Sequence, residues 1–232
     1  MRTERLKTVT DALRGLLFPQ CCPVCRRALS EGEGRVCRQC METLPRLSFR
    51  SDRMNEVEEV FAGSRVVTCA FSLFRYHRSS DYAGIIKEIK YYNNPQLAEF
   101  LGETFAAEMM AQGFFDGLDA IVYVPLHPRK ESRRGYNQSR HIACGMSRAS
   151  GVPVEDFLRA DLPHRSQTNK TLEQRRKNVE GIFSASPEVA GKRLLLVDDV
   201  ITTGSTMLAC CDVMQQAGVS EVRILSLAFA NL

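Results

Sequence analysis

The sequence predicts an α/β fold, a parallel sheet flanked by helices, preceded by a small four-cysteine module. Three observations carry this. Strand patterns alternate with helical patterns from residue 65 to the C-terminus. The segments AIVYVPL (120–126) and RLLLVDD (193–199) are short apolar runs, as strands covered on both faces must be. Four of the nine cysteines fall as two CxxC pairs near the N-terminus, before the alternation begins.

At about 150 residues per domain, 232 residues fit one large unit and a small appendage. Hydrophobic residues at 44% and charged residues at 25% exclude a disordered chain. No run approaches the ~18 apolar residues of a membrane span, so membrane insertion is not expected. The opening MRTERLKTVTDALRGLL mixes charge into its apolar pattern and lacks a signal-peptide core and cleavage site. A cytoplasmic protein is expected. A reducing compartment directs the cysteines toward metal binding rather than a disulfide framework.

The elements follow in order. Leu6, Val9, Leu13 and Leu16 recur at helical spacing over 5–17, and Pro19 ends the run. The cysteines cluster next, around a Gly/Glu-rich turn. Residues 48–64 are polar and aperiodic and read as a linker, dividing the chain into 1–47, 48–64 and 65–232. RVVTCAFSLFRY (65–76) reads as a strand. Ile85, Ile86 and Ile89 mark a helix over about 81–92, and Leu97, Leu101 and Phe105 another from Pro95, a residue suited to a first turn. A helix over about 137–150 follows strand 120–126. Strand 193–199 leads through a Thr/Gly/Ser turn into a helix over 205–217 closing at Gly218, and VRILSLAFA (222–230) is the last strand.

Cys22, Cys25, Cys37 and Cys40 form C-x2-C-x11-C-x2-C. Paired knuckles at this spacing can place four thiolates tetrahedrally around zinc, and a unit this small needs the metal to fold. Four thiolates leave no open coordination position, so the zinc would be structural. A redox CxxC or buried free thiols are the alternatives. Cys21 is adjacent and could compete with Cys22. Cys69, Cys144, Cys210 and Cys211 lie in strand or helix patterns and read as core.

Basic charge is concentrated. Window 127–140 holds Arg129, Lys130, Arg133, Arg134 and Arg140 against Glu131; window 164–177 holds Arg165, Lys170, Arg175, Arg176 and Lys177 against Glu173. Each carries a net of +4, which leaves the rest at −4 within a total of +4. Such windows suit phosphates or a nucleic-acid backbone; solvated loops are the plainer reading.

The stretch RLLLVDDVITTGSTM (193–207) is the most informative. A buried strand delivers Asp198 and Asp199 at its C-terminal end, where open α/β sheets bind ligands. Thr202, Thr203, Gly204, Ser205 and Thr206 then open a helix, whose amides and dipole suit a phosphate monoester. Carboxylates for a diol beside a phosphate cradle describe a ribose 5-phosphate site. The lysine of a Walker loop is missing.

VDDVITTGST resembles the motif by which type I phosphoribosyltransferases bind phosphoribosyl pyrophosphate (PRPP). More closely, the chain resembles the ComF family. Phe18-Pro19 and the paired knuckles look like that family's zinc region. Val124-Pro125-Leu126 with Arg134-Gly135-Tyr136-Asn137-Gln138 resembles its VPVPL…RGFNQ block, Tyr136 standing for the commoner Phe. Gln167-Thr168, Arg175 and Asn178-Val179-Glu180-Gly181 resemble its QT…R..NV.G block. The resemblance covers nearly the whole chain and implies a type I phosphoribosyltransferase-like sheet.

It also implies roles. Asp198 and Asp199 would hold the ribose hydroxyls, directly or through magnesium, and Asp199 could stabilise positive charge at the anomeric carbon. Thr202, Thr203, Gly204, Ser205 and Thr206 would cradle the 5-phosphate. The turn at His127 and Pro128, with Arg129 and Lys130, would bind pyrophosphate. Arg133 and Arg134 would close over the pyrophosphate or, with Arg175 and Arg176, contact single-stranded DNA. The implied partners are PRPP, single-stranded DNA and DNA-uptake proteins, in natural transformation. A phosphoribosyltransferase acting on a small nucleophile and a PRPP sensor without turnover are the other readings. Aromatics beside the basic windows are few, Tyr136 and Phe183, which gives a base-stacking platform little support there.

Overall fold

The computed structural model describes residues 20–48, 54–161 and 181–230. The expected helix at 5–17, Phe18-Pro19 and the basic window 164–177 lie outside them.

Strands β1 (Val67–Arg75), β2 (Ala120–Tyr123), β5 (Arg193–Ile201) and β6 (Glu221–Phe229) form one sheet. They run parallel throughout, in the order β1-β6-β5-β2. A short antiparallel pair, β3 (Leu158–Ala160) with β4 (Phe183–Ala185), stands apart; neither strand was expected from the sequence. Strand β5 is the centre of the core because its two faces are both apolar. Leu195 and Val197 join one cluster, Leu194 and Leu196 the other, and all four are fully buried.

Helices α1 (Arg38–Glu42), α3 (Ala83–Tyr91), α4 (Pro95–Met110) and α6 (Gln138–Ser150) place Cys40, Ile85, Phe105 and Ile142 in the first cluster. Helices α2 (Glu56–Phe61) and α7 (Ser205–Gln216) place Val57, Phe61, Met207 and Met214 in the second. The chain leaves β2 toward α6 on one face and leaves β5 toward α7 on the other. The crevice between the C-terminal ends of β2 and β5 is therefore the topological switch point of the sheet.

Two differences from the sequence reading matter. Within 48–64, residues 56–61 are helical rather than irregular. The Asn55 side chain accepts from Val57 N and Glu58 N at 2.9 and 3.0 Å, while Glu58 accepts from Asn55 N at 2.9 Å. This capping box starts a helix too short to show apolar periodicity. The basic stretch after β2 is also a helix, α5 (Pro128–Arg134), ended by Gly135 in the left-handed region at φ 87°. Pro128 at its first turn and His127 as its cap, accepting from Arg129 N at 3.2 Å, explain where it begins.

Candidate functional site

Cys22, Cys25, Cys37 and Cys40 bring their sulfurs within 4.8 Å of one another, and Cys25 Sγ lies 3.7 Å from Cys37 Sγ. A tetrahedron with metal–sulfur bonds near 2.3 Å has sulfur–sulfur edges of about 3.8 Å. The donor set thus fits a tetrahedral thiolate site. Local backbone sets it up: Arg26 N donates to Cys22 O at 3.0 Å in the first knuckle, and Cys37 is the N-cap of α1 in the second. Among the described residues no other group of three or more potential ligands gathers this way. Cys21 stands outside the four. The cluster is compatible with structural zinc, and it is fused to the sheet domain. Cys22, Cys37 and Cys40 share a core cluster with Phe71 and Ile85. Gly84 of α3 packs so closely that a Cβ there would lie 2.0 Å from Pro23 O.

At the switch point β5 delivers the two carboxylates. Asp199 is buried, 7% exposed, and Asp198 is partly covered. The Asp198 Oδ1 atom accepts from Ser139 Oγ at 2.7 Å and from Asp199 N at 2.8 Å. Lys90 Nζ, from the last turn of α3, lies 3.1 Å from Asp199 Oδ1. Loss of water and the neighbouring Asp199 charge push the Asp198 carboxyl up to about 7. Burial works against the Lys90 ammonium, but Asp199 and Asp198 outweigh it and hold its pKa above the ordinary value. Burial and the neighbouring Arg134 and Lys90 charges lower Lys130. Three cations and two carboxylates therefore share one small volume.

The turn after α5 fastens this group. Arg134 donates to Gln138 Oε1 at 2.8 Å, and Asn137 caps α6 while its Nδ2 donates to Val124 O at 3.1 Å. The Tyr136 hydroxyl donates to Ile89 O, a bond that the commoner Phe of the sequence motif could not make. It ties the turn to the end of α3, and so to Lys90.

On the other side of the crevice, residues 202–204 lead into α7. Gly204 is its N-cap at φ 68° and supplies no side-chain cap, so the first amides of a 12-residue helix have no side-chain acceptor at that position. Thr203 Oγ1 and Ser205 Oγ lie 2.9 Å apart at the same end. A Cβ on Gly204 would come 2.4 Å from Val60 Cγ1. Helix α2 thus backs the loop, which is why this position needs glycine irrespective of any ligand.

The structure brings Asp198, Asp199, Lys130 and Arg134 together and sets Thr202, Thr203, Gly204, Ser205 and Thr206 immediately after them. Arg129 and Arg133 are exposed on α5. Gln167, Thr168, Arg175, Arg176 and Asn178 to Glu180 lie outside the described residues. Tyr136 and Phe183 are buried at 8% and 6%, so neither is free to stack on a base. Lys90 and Ser139 were not anticipated. Lys90 falls four residues after the buried Ile86 and is itself half-buried at the end of the apolar stripe, and a lysine there was the available signal.

Residues 139–231 match the phosphoribosyl transferase domain family. The chain is 34% identical over 116 residues to competence protein F of Haemophilus influenzae, covering 48% of this chain and 51% of that protein. It is 25% identical over 241 aligned positions to DNA utilization protein YhgH of Escherichia coli K12, covering 90% and 96%. Competence protein ComFC of Streptococcus pneumoniae is 30% identical over 107 residues, 46% of each chain. The matched segments thus span about half of the two competence proteins and nearly all of YhgH. The chain is homologous to these proteins, and its helix-flanked parallel sheet is a type I phosphoribosyltransferase fold. No described helix is long and apolar enough to cross a membrane.

Proposed function

We propose that this protein binds PRPP at the β2–β5 switch point and acts in the uptake of single-stranded DNA during natural transformation. One observation carries the ligand assignment. Asp198 and Asp199, the cations Lys90, Lys130 and Arg134, and the N-terminus of α7 converge on the crevice where this sheet would hold a ligand. A ribose 5-phosphate with a pyrophosphate at its anomeric carbon needs that sequence of partners: helix amides for the monoester, carboxylates for the diol, cations for the pyrophosphate. The names of the relatives, competence protein F and DNA utilization protein YhgH, support the DNA role.

In this reading Thr202, Thr203, Gly204, Ser205 and Thr206 receive the 5-phosphate, and Asp198 and Asp199 accept from the ribose hydroxyls. Lys130 and Arg134, with Arg129 at the start of α5, face the pyrophosphate. Magnesium held by the two carboxylates would neutralise charge that builds as pyrophosphate departs. Ser139 fixes Asp198 through its hydroxyl, and Lys90 pairs with Asp199. Arg133 and the described face of α5, together with Arg175 and Arg176, would meet DNA phosphates. The four-cysteine cluster holds zinc in a cytoplasmic protein.

The test is calorimetric titration of PRPP with magnesium into the wild type and the Asp198→Asn and Asp199→Asn variants. Losing a charge-assisted hydrogen bond should weaken binding by about tenfold to a hundredfold in each. Unchanged affinity in both would reject the ribose assignment. The domain match favours a second reading, an active phosphoribosyltransferase. Pyrophosphate release on mixing PRPP with candidate acceptors distinguishes it from a PRPP sensor without turnover.

A further inference from the structure

The corner between α3 and α4 carries two side chains that neither the core nor the acidic crevice uses. Tyr91 and Tyr92 are 71% and 67% exposed; among the described residues Met54 and Met110 are the other large hydrophobics standing out this way. The corner is held rigidly. Asn93 takes a left-handed φ of 50°, and Asn94 caps α4 by accepting from Leu97 N at 3.1 Å. The hydroxyl of Tyr136 fastens Ile89 just before it.

Cations flank the pair on both sides. Lys90 precedes it in the chain and leads to Lys130 and Arg134. Beyond Tyr92 lies Arg26 of the cysteine module, which pairs with Glu88 at 2.8 Å, keeps a 60% exposed side chain and is within electrostatic reach of Tyr92. A strip therefore runs from the first cysteine knuckle across two tyrosines to the phosphate-binding crevice.

We propose that this strip is a track for a single nucleic-acid strand, whose bases stack on Tyr91 and Tyr92 while Arg26 meets its phosphates. The inference rests on the DNA-binding reading and adds the place of contact. Exposed aromatics between cations are what sequence-tolerant strand binding needs, because every base offers a π-face and every nucleotide a phosphate. A protein partner fits less well, since docking faces are contiguous apolar patches of several hundred Å². Two tyrosines bounded by charge are not such a patch.

The experiment uses the full-length, metal-loaded protein and two probes, a thymidine oligomer of about 12 nucleotides and an abasic sugar–phosphate oligomer of equal length. Wild type should prefer the thymidine oligomer. Tyr91→Ala and Tyr92→Ala should each weaken thymidine binding by about five- to a hundredfold and leave abasic binding unchanged. Tyr→Phe at either position should retain affinity. Arg26→Ala should instead flatten the slope of log affinity against log salt by about 0.7. The tyrosines are exposed, so melting temperature and metal content should hold. The chain has no tryptophan, so quenching of its six tyrosines gives an independent readout. If wild type binds the oligomer and both alanine variants match it, the track is wrong and the DNA reading stands. If wild type fails to bind even at low salt, both fall. Tyrosine variants that alter only pyrophosphate release with a free nucleobase would assign the corner to an acceptor and overturn the track.

Discussion

Lys90 Nζ and Asp199 Oδ1 form a 3.1 Å ion pair between the end of α3 and the end of β5, with side chains 22% and 10% exposed. This pair, largely out of water, is what lets two adjacent carboxylates sit at the switch point in the absence of ligand. Removing one partner leaves the other charged and buried, at a cost of about 3 kcal/mol. Lys90→Met should therefore lower stability by about that amount in urea unfolding at pH 8. The loss should shrink at pH 5, where the Asp198 carboxyl, raised to about 7, holds a proton and no longer draws on the ammonium. An equal loss at both pH values would contradict the electrostatic account.

Asp198 makes a separate pH prediction. Its carboxyl is raised to about 7 in the folded protein, above the ordinary value of 3.8. Between those limits the native state holds a proton that the unfolded chain has released. Stability is then fully present at low pH and falls as pH rises through the window, by up to ~1.4 kcal/mol per unit. Asp198→Asn should flatten that limb and be the more stable protein at pH 8. Urea midpoints measured from pH 4 to 8 would check it, and a variant with the wild-type slope would exclude Asp198 as the cause.

Gly204 separates backbone strain from packing. A non-glycine residue at φ 68° costs roughly 1–2 kcal/mol. The 2.4 Å approach of a Cβ to Val60 Cγ1 adds a clash. Gly204→Ala should destabilise the protein by more than the backbone cost, and adding Val60→Ala should recover the excess but not the remainder. The double-mutant coupling is the measurement. Additive effects would mean that α2 does not support the loop.

Strands and long helices were legible because burial writes itself into periodicity. Leu194 to Val197 are apolar in unbroken succession, and β5 is covered on both faces. The site was legible only where it is contiguous. Asp198 to Thr206 form one strand–turn–helix unit, so their order alone describes a phosphate beside a diol. Lys90 and Ser139 reach Asp199 and Asp198 across 109 and 59 positions of sequence, and only the packing of α3 and α6 joins them. Helices α2 and α5 were missed because six or seven residues display too few turns for a stripe. Their caps, Asn55 with Glu58 and His127 with Pro128, were the available cue.

The cysteine cluster predicts a coupled loss. Cys37→Ser should release the metal, as elemental analysis would show. Because Cys22, Cys37 and Cys40 pack in the same cluster as Phe71 and Ile85, the whole domain should also melt earlier. Cys210→Ser, buried in the second cluster and outside the four-sulfur group, should keep the metal. Metal content unchanged in Cys37→Ser would remove the tetrathiolate assignment.

The two arginines ending α5 should part company. Arg134 donates to Gln138 at 2.8 Å and contributes to the charge felt by Lys90 and Lys130, whereas Arg133 is exposed to solvent. If the crevice binds PRPP, Arg134→Ala removes a cation from the pyrophosphate side and should weaken PRPP by about tenfold or more. It should also raise the pKa of both Lys90 and Lys130, because the Arg134 charge lowers each of them and is the leading charge acting on Lys130. Arg133→Ala should leave PRPP affinity intact. On a single strand Arg133→Ala should act alike for every sequence and flatten the salt slope by about 0.7, the signature of one phosphate contact. Calorimetry with PRPP and salt titrations with an oligonucleotide, run on both variants, read the two effects independently. Arginines that behave identically in both assays would mean that α5 presents one undivided basic face, and the separation of ligand and strand along it would fail.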